Sequence, residues 1–305
     1  GNYSMPIQIY DLNLDKKNRE LEVRGTPLFP CGAYFSDIIS NVTGDIPWHW
    51  HDEFEVIVIK KGPIKISVSG TDYLLQTGEG LFINSNVLHS VYVFNDQPCL
   101  LNSLVFHKEL ICDTNENIFK QRYIQPLANC NALPSIPLYP HIKWQRIAID
   151  CILTAYEAYE SEKFGYELFI RNQLSHLFYL LVKHHQEALQ QPQIENQEIK
   201  RLKKMLNFIH ENYSKGVEVG QIAASANISI RECQRCFQKH VQMSPMQYLL
   251  KYRISVSAGL LLQTDATITE ICNKVGFDSP SYYTKIFKRF MNTSPTAYRK
   301  KTIVR

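Results

Sequence analysis

The sequence predicts an α+β multidomain protein, in which an N-terminal β-barrel and the helices that follow it precede an all-α C-terminal domain. Three observations predict this class. Short alternating or apolar runs separated by turn residues fill the first 110 positions, as is typical of a sandwich or barrel. Apolar residues then recur at three- and four-residue steps, which indicates amphipathic helices. The last third of the chain repeats itself, which indicates one structural unit used twice.

The first two-thirds of the chain contains a strand-rich region, a helical region and a linker, in that order. Runs with strand character cover residues 55–59, 64–68, 73–75, 81–83 and 91–94. Two helices are expected within 141–185, broken at Phe164-Gly165, and the second is apolar on much of its circumference. That helix must therefore pack against the barrel, a partner chain or both. Residues 186–197 are polar and Gln-rich and contain Pro192, which predicts a linker because they cannot bury much surface.

Charge is distributed unevenly along the chain. Residues 1–194 carry a net charge of −6, whereas residues 195–305 carry +10. This asymmetry points to a polyanionic partner for the C-terminal part, with a solvated basic surface as the alternative. The eight cysteines lie mostly among apolar neighbours, which favours reduced thiols. We find no apolar run of about 18 residues and no secretory signal over residues 1–10, so a cytoplasmic location without a membrane partner is expected.

An internal repeat organises the C-terminal region. An offset of 50 residues superimposes Ser244-Pro245 on Ser294-Pro295 and Phe237 on Phe287, and upstream of the turns the offset is 49. Each copy has the pattern of a short helix, a tight turn and a longer helix. The expected helices are 219–226 and 229–240 in the first copy, and 267–275 and 279–291 in the second. This order, with capping boxes and Ser-Pro helix starts, is typical of helix-turn-helix units.

The longer helix of each copy carries a polar stripe opposite its apolar face. Side chains of these types hydrogen-bond to base edges, so each stripe suits a DNA major groove, although a solvated helix face is the simpler alternative. A helix over 245–263, about 28 Å long, separates the stripes and suits successive grooves about 34 Å apart. The candidate DNA-binding residues are Arg231, Gln234, Arg235, Gln238 and Lys239 in the first helix and Ser281, Thr284, Lys285 and Lys288 in the second. The candidate phosphate contacts are Lys200, Arg201, Lys203, Lys204, Arg299, Lys300 and Lys301.

Residues 198–305 resemble the double helix-turn-helix domain of the AraC/XylS family of bacterial regulators. The resemblance covers about a third of the chain and implies sequence-specific binding of double-stranded DNA by a transcription regulator, with an activator and a repressor both left open. It is carried by Ile222-Ala223, Ser229, Arg235-x-Phe237, Ser244-Pro245-x-x-Tyr248-Leu249, Arg253, Leu261-Leu262, Ile268-x-x-Ile271, Gly276-Phe277-x-Ser279, Tyr283, Phe287-Lys288 and Ser294-Pro295-x-x-Tyr298-Arg299.

A histidine constellation marks the predicted barrel. His49-x-His51 is followed by Glu55 and, on a later strand, by His89. This arrangement resembles the two motifs of cupins, and the AraC family commonly carries such a barrel as its sensor domain. The resemblance therefore implies that these four residues line an effector site.

Three interpretations of the constellation stay open. The four side chains can bind a small polar effector such as a carbohydrate or related metabolite, ligate a divalent metal ion, or serve only as strand residues. We expect a regulator that is not an enzyme and carries no cofactor. The alternatives are a metal-dependent cupin enzyme fused to a DNA-binding domain, and a barrel that only dimerises.

Together these features predict the organisation of the chain. The expected partners are double-stranded DNA, a small-molecule effector, a second copy of the chain and RNA polymerase, and the effector shifts the protein between DNA-binding geometries. The predicted segments are a cupin-like effector-binding barrel (1–140), a helical dimerisation segment (141–185), a linker (186–197) and a DNA-binding domain with two helix-turn-helix units (198–305).

Overall fold

The computed structural model describes residues 26, 28–37, 45–93, 99–192 and 196–303. The chain divides into two compact units, which meet in sequence at Asn196 and Gln197 and are called here the N-terminal and the C-terminal unit. A search of the described helices finds none with the length and hydropathy of a membrane span. None of the eight cysteines, all of which are described and buried, forms a disulfide.

The N-terminal unit contains two antiparallel sheets. The first has five strands in the order β1-β8-β3-β6-β9, and the second has four in the order β2-β7-β4-β5. Their bounds are β1 (Cys31–Asp37), β2 (Asp45–His49), β3 (Phe54–Lys61), β4 (Ile64–Val68), β5 (Thr71–Leu75), β6 (Gly80–Ile83), β7 (His89–Val93), β8 (Leu100–Phe106) and β9 (Ser135–Leu138).

The five predicted strands correspond to β3–β7, and the predicted end at Phe94 lies outside the described residues. The structure contains four further strands among the described residues. Three of them, β1, β8 and β9, lie in the first sheet, and β2 lies in the second. Strand β9 lies beyond residue 110 and pairs with β6, about fifty positions earlier. Long-range pairing of this kind leaves little local signal, because the partner strand completes the hydrogen bonding and the packing.

The pairing register of the strands shows which side chains lie on the same face of each sheet. Partners across a ladder point to the same side, so Glu55, which pairs with Ile83 and with Val105, faces the same side as those apolar residues. Apolar residues from both sheets form one buried cluster, so the space between the sheets is a packed core. The cluster includes Ile57, Ile59, Ile64, Ile66, Val68, Leu75, Leu81, Ile83, Val91, Leu101 and Val105.

The opposite face of the five-stranded sheet is covered by two long helices, α3 (Lys143–Ser161) and α4 (Tyr166–His184). The ring of Phe178 packs edge-on against Phe54, Phe82 and Phe106, with centroid distances of 4.9, 5.8 and 5.9 Å. The apolar circumference of α4 is therefore directed largely at its own barrel. Smaller elements complete the unit: α1 (Glu109–Cys112), a π-helical segment (Lys120–Ile124), α2 (Gln125–Ala128) and α5 (Gln186–Gln190).

The predicted linker is partly helical. Helix α5 occupies its first five residues and buries none of them fully, whereas residues 193–195 lie outside the described part of the chain. The short helix fits the polar composition, because an exposed helix of five residues needs no core.

The C-terminal unit is all helical, and its helices begin where capping residues predict. Ser229 and Thr267 accept hydrogen bonds from Glu232 and Glu270 N–H groups and form capping boxes. A further box, Glu218 with Gln221, was not predicted. The helices are α6 (Gln197–Asn212), α7 (Val219–Ser225), α8 (Ile230–His240), α9 (Pro245–Gln263), α10 (Ile268–Lys274), α11 (Pro280–Met291) and α12 (Pro295–Ile303).

The two tight turns of the repeat have the same backbone. Asn227 in the first and Gly276 in the second occupy the left-handed region, with φ of 54° and 90°. In each turn the next N–H donates to a carbonyl five residues back: Ile228 to Ala223 at 3.2 Å, and Phe277 to Cys272 at 3.0 Å. Asn and Gly tolerate positive φ better than other residues, so the two turns are matched in conformation as well as in sequence.

Candidate functional sites

The helices α8 and α11 present the predicted stripes to solvent. On α8, Arg231, Gln234, Arg235, Gln238 and Lys239 are all exposed, and on α11 Ser281, Lys285 and Lys288 are exposed while Thr284 is half-buried. The opposite faces are buried, with Cys233 and Phe237 in the first unit and Tyr283 and Phe287 in the second. The fold thus leaves the stripe residues of both copies at the surface.

Some predicted DNA contacts have partners within the protein. Lys239 Nζ donates to Glu198 Oε2 at 2.6 Å. Arg299 is half-buried and donates to the carbonyl oxygens of Leu261 and Ala266 at 3.1 and 2.6 Å. Arg299 therefore stabilises the end of α9, a structural role that its position in a basic C-terminal run did not reveal.

The fold brings the four histidine-constellation residues together. His49 lies at the end of β2 opposite His89, which begins β7, and Glu55 lies near the start of β3. All four residues are buried, and one potential ligand atom from each lies within 4.8 Å of the others. The ring centroids of His49 and His89 are 4.0 Å apart. Residues separated by forty positions in sequence thus form one compact polar site.

Hydrogen bonds orient two of these rings toward Glu55. His51 Nδ1 lies 3.0 Å from the Glu53 carbonyl oxygen, and His89 Nδ1 lies 2.8 Å from that of Val87. A carbonyl oxygen only accepts, so each Nδ1 carries a proton. The opposite nitrogens, Nε2, lie 3.3 and 3.1 Å from Glu55 Oε2.

The carboxylate of Glu55 is the electrostatic centre of this site. Burial alone would raise its pKa, but hydrogen bonds from His51 and His89 more than offset burial, so the pKa lies well below its usual range. Two imidazole nitrogens and a carboxylate oxygen therefore converge at one buried point. This donor set fits a divalent metal ion, because ligating histidines commonly donate their other N–H to a backbone carbonyl.

Comparison with known proteins matches both units. A family model described as an AraC-like ligand-binding domain matches residues 42–178, and one described as a helix-turn-helix domain matches residues 222–301. An uncharacterized HTH-type transcriptional regulator, YdeC of Bacillus subtilis (strain 168), is 30% identical over 287 residues, which is 94% of this chain and 97% of that protein.

More distant similarity extends to a transcriptional activator and to a solved structure. The HTH-type transcriptional activator RhaS of Escherichia coli O81 (strain ED1a) is 23% identical over 255 residues, 84% of this chain and 88% of that protein. The solved structure of ToxT from Vibrio cholerae is 13% identical with a TM-score of 0.46, covering 88% of this chain and 97% of that one. The matched models and the similarity to YdeC over nearly the full length show that this chain belongs to the AraC family of helix-turn-helix transcription regulators.

Proposed function

We propose that the chain binds specific DNA sequences by placing the exposed faces of α8 and α11 in major grooves. The observation that carries this proposal is the matched exposure of the two stripes. At equivalent repeat positions, Arg235 and Lys285 are exposed while Phe237 and Phe287 are buried. Arg and Lys are the side chains that most often read guanine, and the net charge of +10 over residues 195–305 supports attraction to the phosphate backbone.

The test is one substitution with a matched control. Arg235→Ala is expected to weaken binding to the preferred sequence by about 1–3 kcal/mol and to relax specificity at one base pair. Arg122→Ala, which removes an exposed arginine from the N-terminal unit, is the control and leaves binding unchanged. Fluorescence anisotropy with specific and random duplexes measures both variants. Equal losses on the two duplexes would contradict base reading by Arg235.

The proposed effector is a small polar molecule, a carbohydrate or related metabolite, bound at the histidine constellation. Two further polar groups support a polar ligand in this unit. The indole N–H of Trp48 and the hydroxyl of Ser103 are buried without a hydrogen-bond partner among the described residues. Trp48 adjoins His49 on β2, and Ser103 pairs with Ile57 of the packed interior. Buried polar groups normally have partners, and sugar hydroxyls both donate and accept.

A thermal-shift screen of sugars and sugar acids tests this class of effector. A binding compound is expected to raise the unfolding temperature of the wild type and to lose its effect in His89→Ala. His141→Ala, which replaces an exposed histidine of the same unit, keeps the effect. A shift that survives in His89→Ala would place the ligand elsewhere.

A divalent metal ion is the second candidate ligand, favoured by the convergence of two Nε2 atoms on Glu55 Oε2. His49, His51, Glu55 and His89 would hold it, and a bound ion would supply a positive centre for oxygen ligands. Elemental analysis of the purified protein is expected to show one more equivalent of metal in the wild type than in the double variant His49→Ala, His51→Ala, and the control His107→Ala, His141→Ala is expected to keep that equivalent. The names of the relatives favour regulation over catalysis, and turnover by the metal-loaded protein would revive the enzyme alternative.

Dimerisation is proposed through the side of α4 that the barrel leaves uncovered. Leu168 and Tyr179 are exposed there, and Phe164 is exposed just before the helix. A dimer could engage two DNA sites and, as a cytoplasmic activator, contact RNA polymerase. Sedimentation is expected to show Leu168→Asp shifted to monomer, whereas Leu28→Asp, at a comparably exposed leucine, stays dimeric. A dimer that survives Leu168→Asp would place the interface elsewhere.

A further inference from the structure

We propose that Glu198, Cys236 and His240 form a zinc-binding site in the C-terminal unit, on the helix that carries the first DNA-facing stripe. Helix α8 places Cys236 and His240 one turn apart, on one face of the helix. Helix α6 contributes Glu198 from its first turn. One potential ligand atom from each residue lies within 4.8 Å of the other two.

Burial distinguishes this cluster from a chance group of surface side chains. Cys236 is 3% exposed and His240 is 4% exposed. The His240 Nε2 atom is 3.1 Å from Glu198 Oε2, yet neither ring nitrogen has a hydrogen bond of good geometry among the described residues. A buried imidazole normally has such a bond. A metal ion between His240 and Glu198 would give the Nε2 atom a partner.

The donor types select zinc. Thiolate, imidazole and carboxylate are the ligands of Zn²⁺, which binds them in tetrahedral geometry. Ligand atoms on one zinc ion stand about 3.6 Å apart. His240 Nε2 and Glu198 Oε2 are 3.1 Å apart and all three ligand atoms lie within 4.8 Å of one another, so small side-chain movements suffice to form the site. Zinc replaces the thiol proton of Cys236, which leaves to solvent. The side chain of Glu198 is 27% exposed, which leaves a route for the ion and a fourth position for water.

Zinc at this site would alter a DNA-facing cation. Lys239 Nζ lies 2.6 Å from Glu198 Oε2, so the lysine is held by the carboxylate that the ion would bind. A dication neutralises that carboxylate and repels the ammonium group, which leaves Lys239 available to a phosphate. This consequence rests on the proposed DNA binding, whereas the site itself does not.

Cobalt substitution tests the site in the full-length protein. Titration with Co²⁺ beyond two equivalents, enough to fill the histidine constellation as well, is expected to produce thiolate-to-cobalt charge-transfer absorption, which the histidine constellation cannot give because it offers only nitrogen and oxygen ligands. Cys236→Ala is expected to abolish the band. Cys233→Ala, which removes a buried thiol outside the cluster on the same helix, keeps it. Glu198→Gln, at a partly exposed position, is expected to weaken cobalt binding at least tenfold. Absence of the band, or its survival in Cys236→Ala, overturns the site.

The coupling to DNA has its own readout. Zinc is expected to steepen the dependence of log K on log salt by about one unit, as one more phosphate contact requires. Lys239→Gln and Cys236→Ala should not respond to zinc. A cobalt band with an unchanged salt slope overturns the coupling and leaves the site standing. A protein that binds no DNA contradicts the proposed function and leaves the cobalt spectrum as expected.

Discussion

The two helix-turn-helix units share one repeat but fix their longer helices, α8 and α11, by different chemistry. The position of Cys236 in α8 corresponds to Ile286 in α11, and that of His240 corresponds to Phe290. Ile286 and Phe290 pack into an apolar cluster, whereas Cys236 and His240 meet the carboxylate of Glu198. The second helix is therefore held by apolar packing, whereas the first is held in part by side chains of metal-ligating type. Any regulation through the proposed zinc site would therefore act on the first unit.

Unlike these helix contacts, the arginines that brace the two units use the same chemistry. Arg253 donates to the carbonyl oxygens of Tyr213 and Lys215, between α6 and α7, at 2.7 and 2.8 Å. Arg299 does the corresponding task between α9 and α10. Arg253 lies on α9 and contacts the loop before the short helix α7, and Arg299 lies on α12 and contacts the loop before the short helix α10. The repeat offset of 50 residues does not align the two arginines. Equivalent bracing has thus been achieved from different sequence positions.

The largest expected effect is on the free energy of unfolding, through the equivalent cores of the two helix-turn-helix units. Phe237→Ala and Phe287→Ala each remove a fully buried ring and are expected to cost about 3–5 kcal/mol of unfolding free energy. Ile230→Ala, at an exposed position of α8, should cost less than about 1 kcal/mol. Urea unfolding followed by circular dichroism measures all three. A small loss at only one phenylalanine would show that the units do not share an equivalent core.

Alanine substitution at the two matched turns, at Gly276 and at Asn227, should cost unequal amounts of unfolding free energy. At Gly276, where φ is positive, a Cβ atom would lie 2.9 Å from backbone atoms of Ser214 and Tyr213, so Gly276→Ala is expected to cost about 1–3 kcal/mol or more. Asn227→Ala should cost less, since that backbone already carries a Cβ atom. Gly259→Ala, in an open helical position, should stabilise the unit by roughly 0.5–1 kcal/mol. Equal costs at the two turns would break the proposed distinction.

Acid should destabilise the packing of α6 against α9 through His210. Burial holds the pKa of His210 well below its usual range, and its Nε2 lies 2.7 Å from the Tyr248 hydroxyl. The unfolded chain takes up a proton near pH 6.5 and the folded chain does not. Stability is therefore full above that pH and is lost as pH falls, by up to about 1.4 kcal/mol per pH unit.

Hydrogen exchange of α6 amides between pH 7.5 and 5.5 measures this loss, with the amides of α10 as the internal reference. The variant His210→Gln should lack the part of the slope that one proton contributes. An unchanged slope in His210→Gln would assign the acid sensitivity to other groups.

The smallest expected effect is on non-specific affinity. Lys204 is an exposed residue of α6, so Lys204→Ala is expected to weaken all duplexes alike and to reduce the salt slope by about one unit. Lys108→Ala, in the N-terminal unit, is the matched control. A loss confined to one DNA sequence would indicate that Lys204 reads bases.

Local signals predicted the C-terminal unit closely. Helix α9 begins and ends at the residues that its Ser-Pro start and apolar period indicate, and Asn227 and Gly276 occupy the left-handed turns. The N-terminal unit was predicted less fully. Strand β8 is the central partner of β1 and β3, but such pairing is decided by distant residues. The contact of Glu198 with α8 was missed for the same reason, since it depends on how two helices pack.

The histidine constellation lies between these extremes. The resemblance of His49, His51, Glu55 and His89 to the cupin motifs predicted which residues would gather. The sequence could not show that His51 and His89 both direct Nε2 at one carboxylate oxygen, because that orientation depends on backbone carbonyls of Glu53 and Val87.

The most direct test of the account is selection of preferred sequences from a random duplex library, with the wild type and two variants. The wild type is expected to enrich two blocks of specified bases about one helical turn, or 10–10.5 base pairs, apart. Arg235→Ala should relax only one block and Lys285→Ala only the other. A single block, or relaxation of the same block by both substitutions, would contradict the claim that α8 and α11 read neighbouring grooves of one duplex.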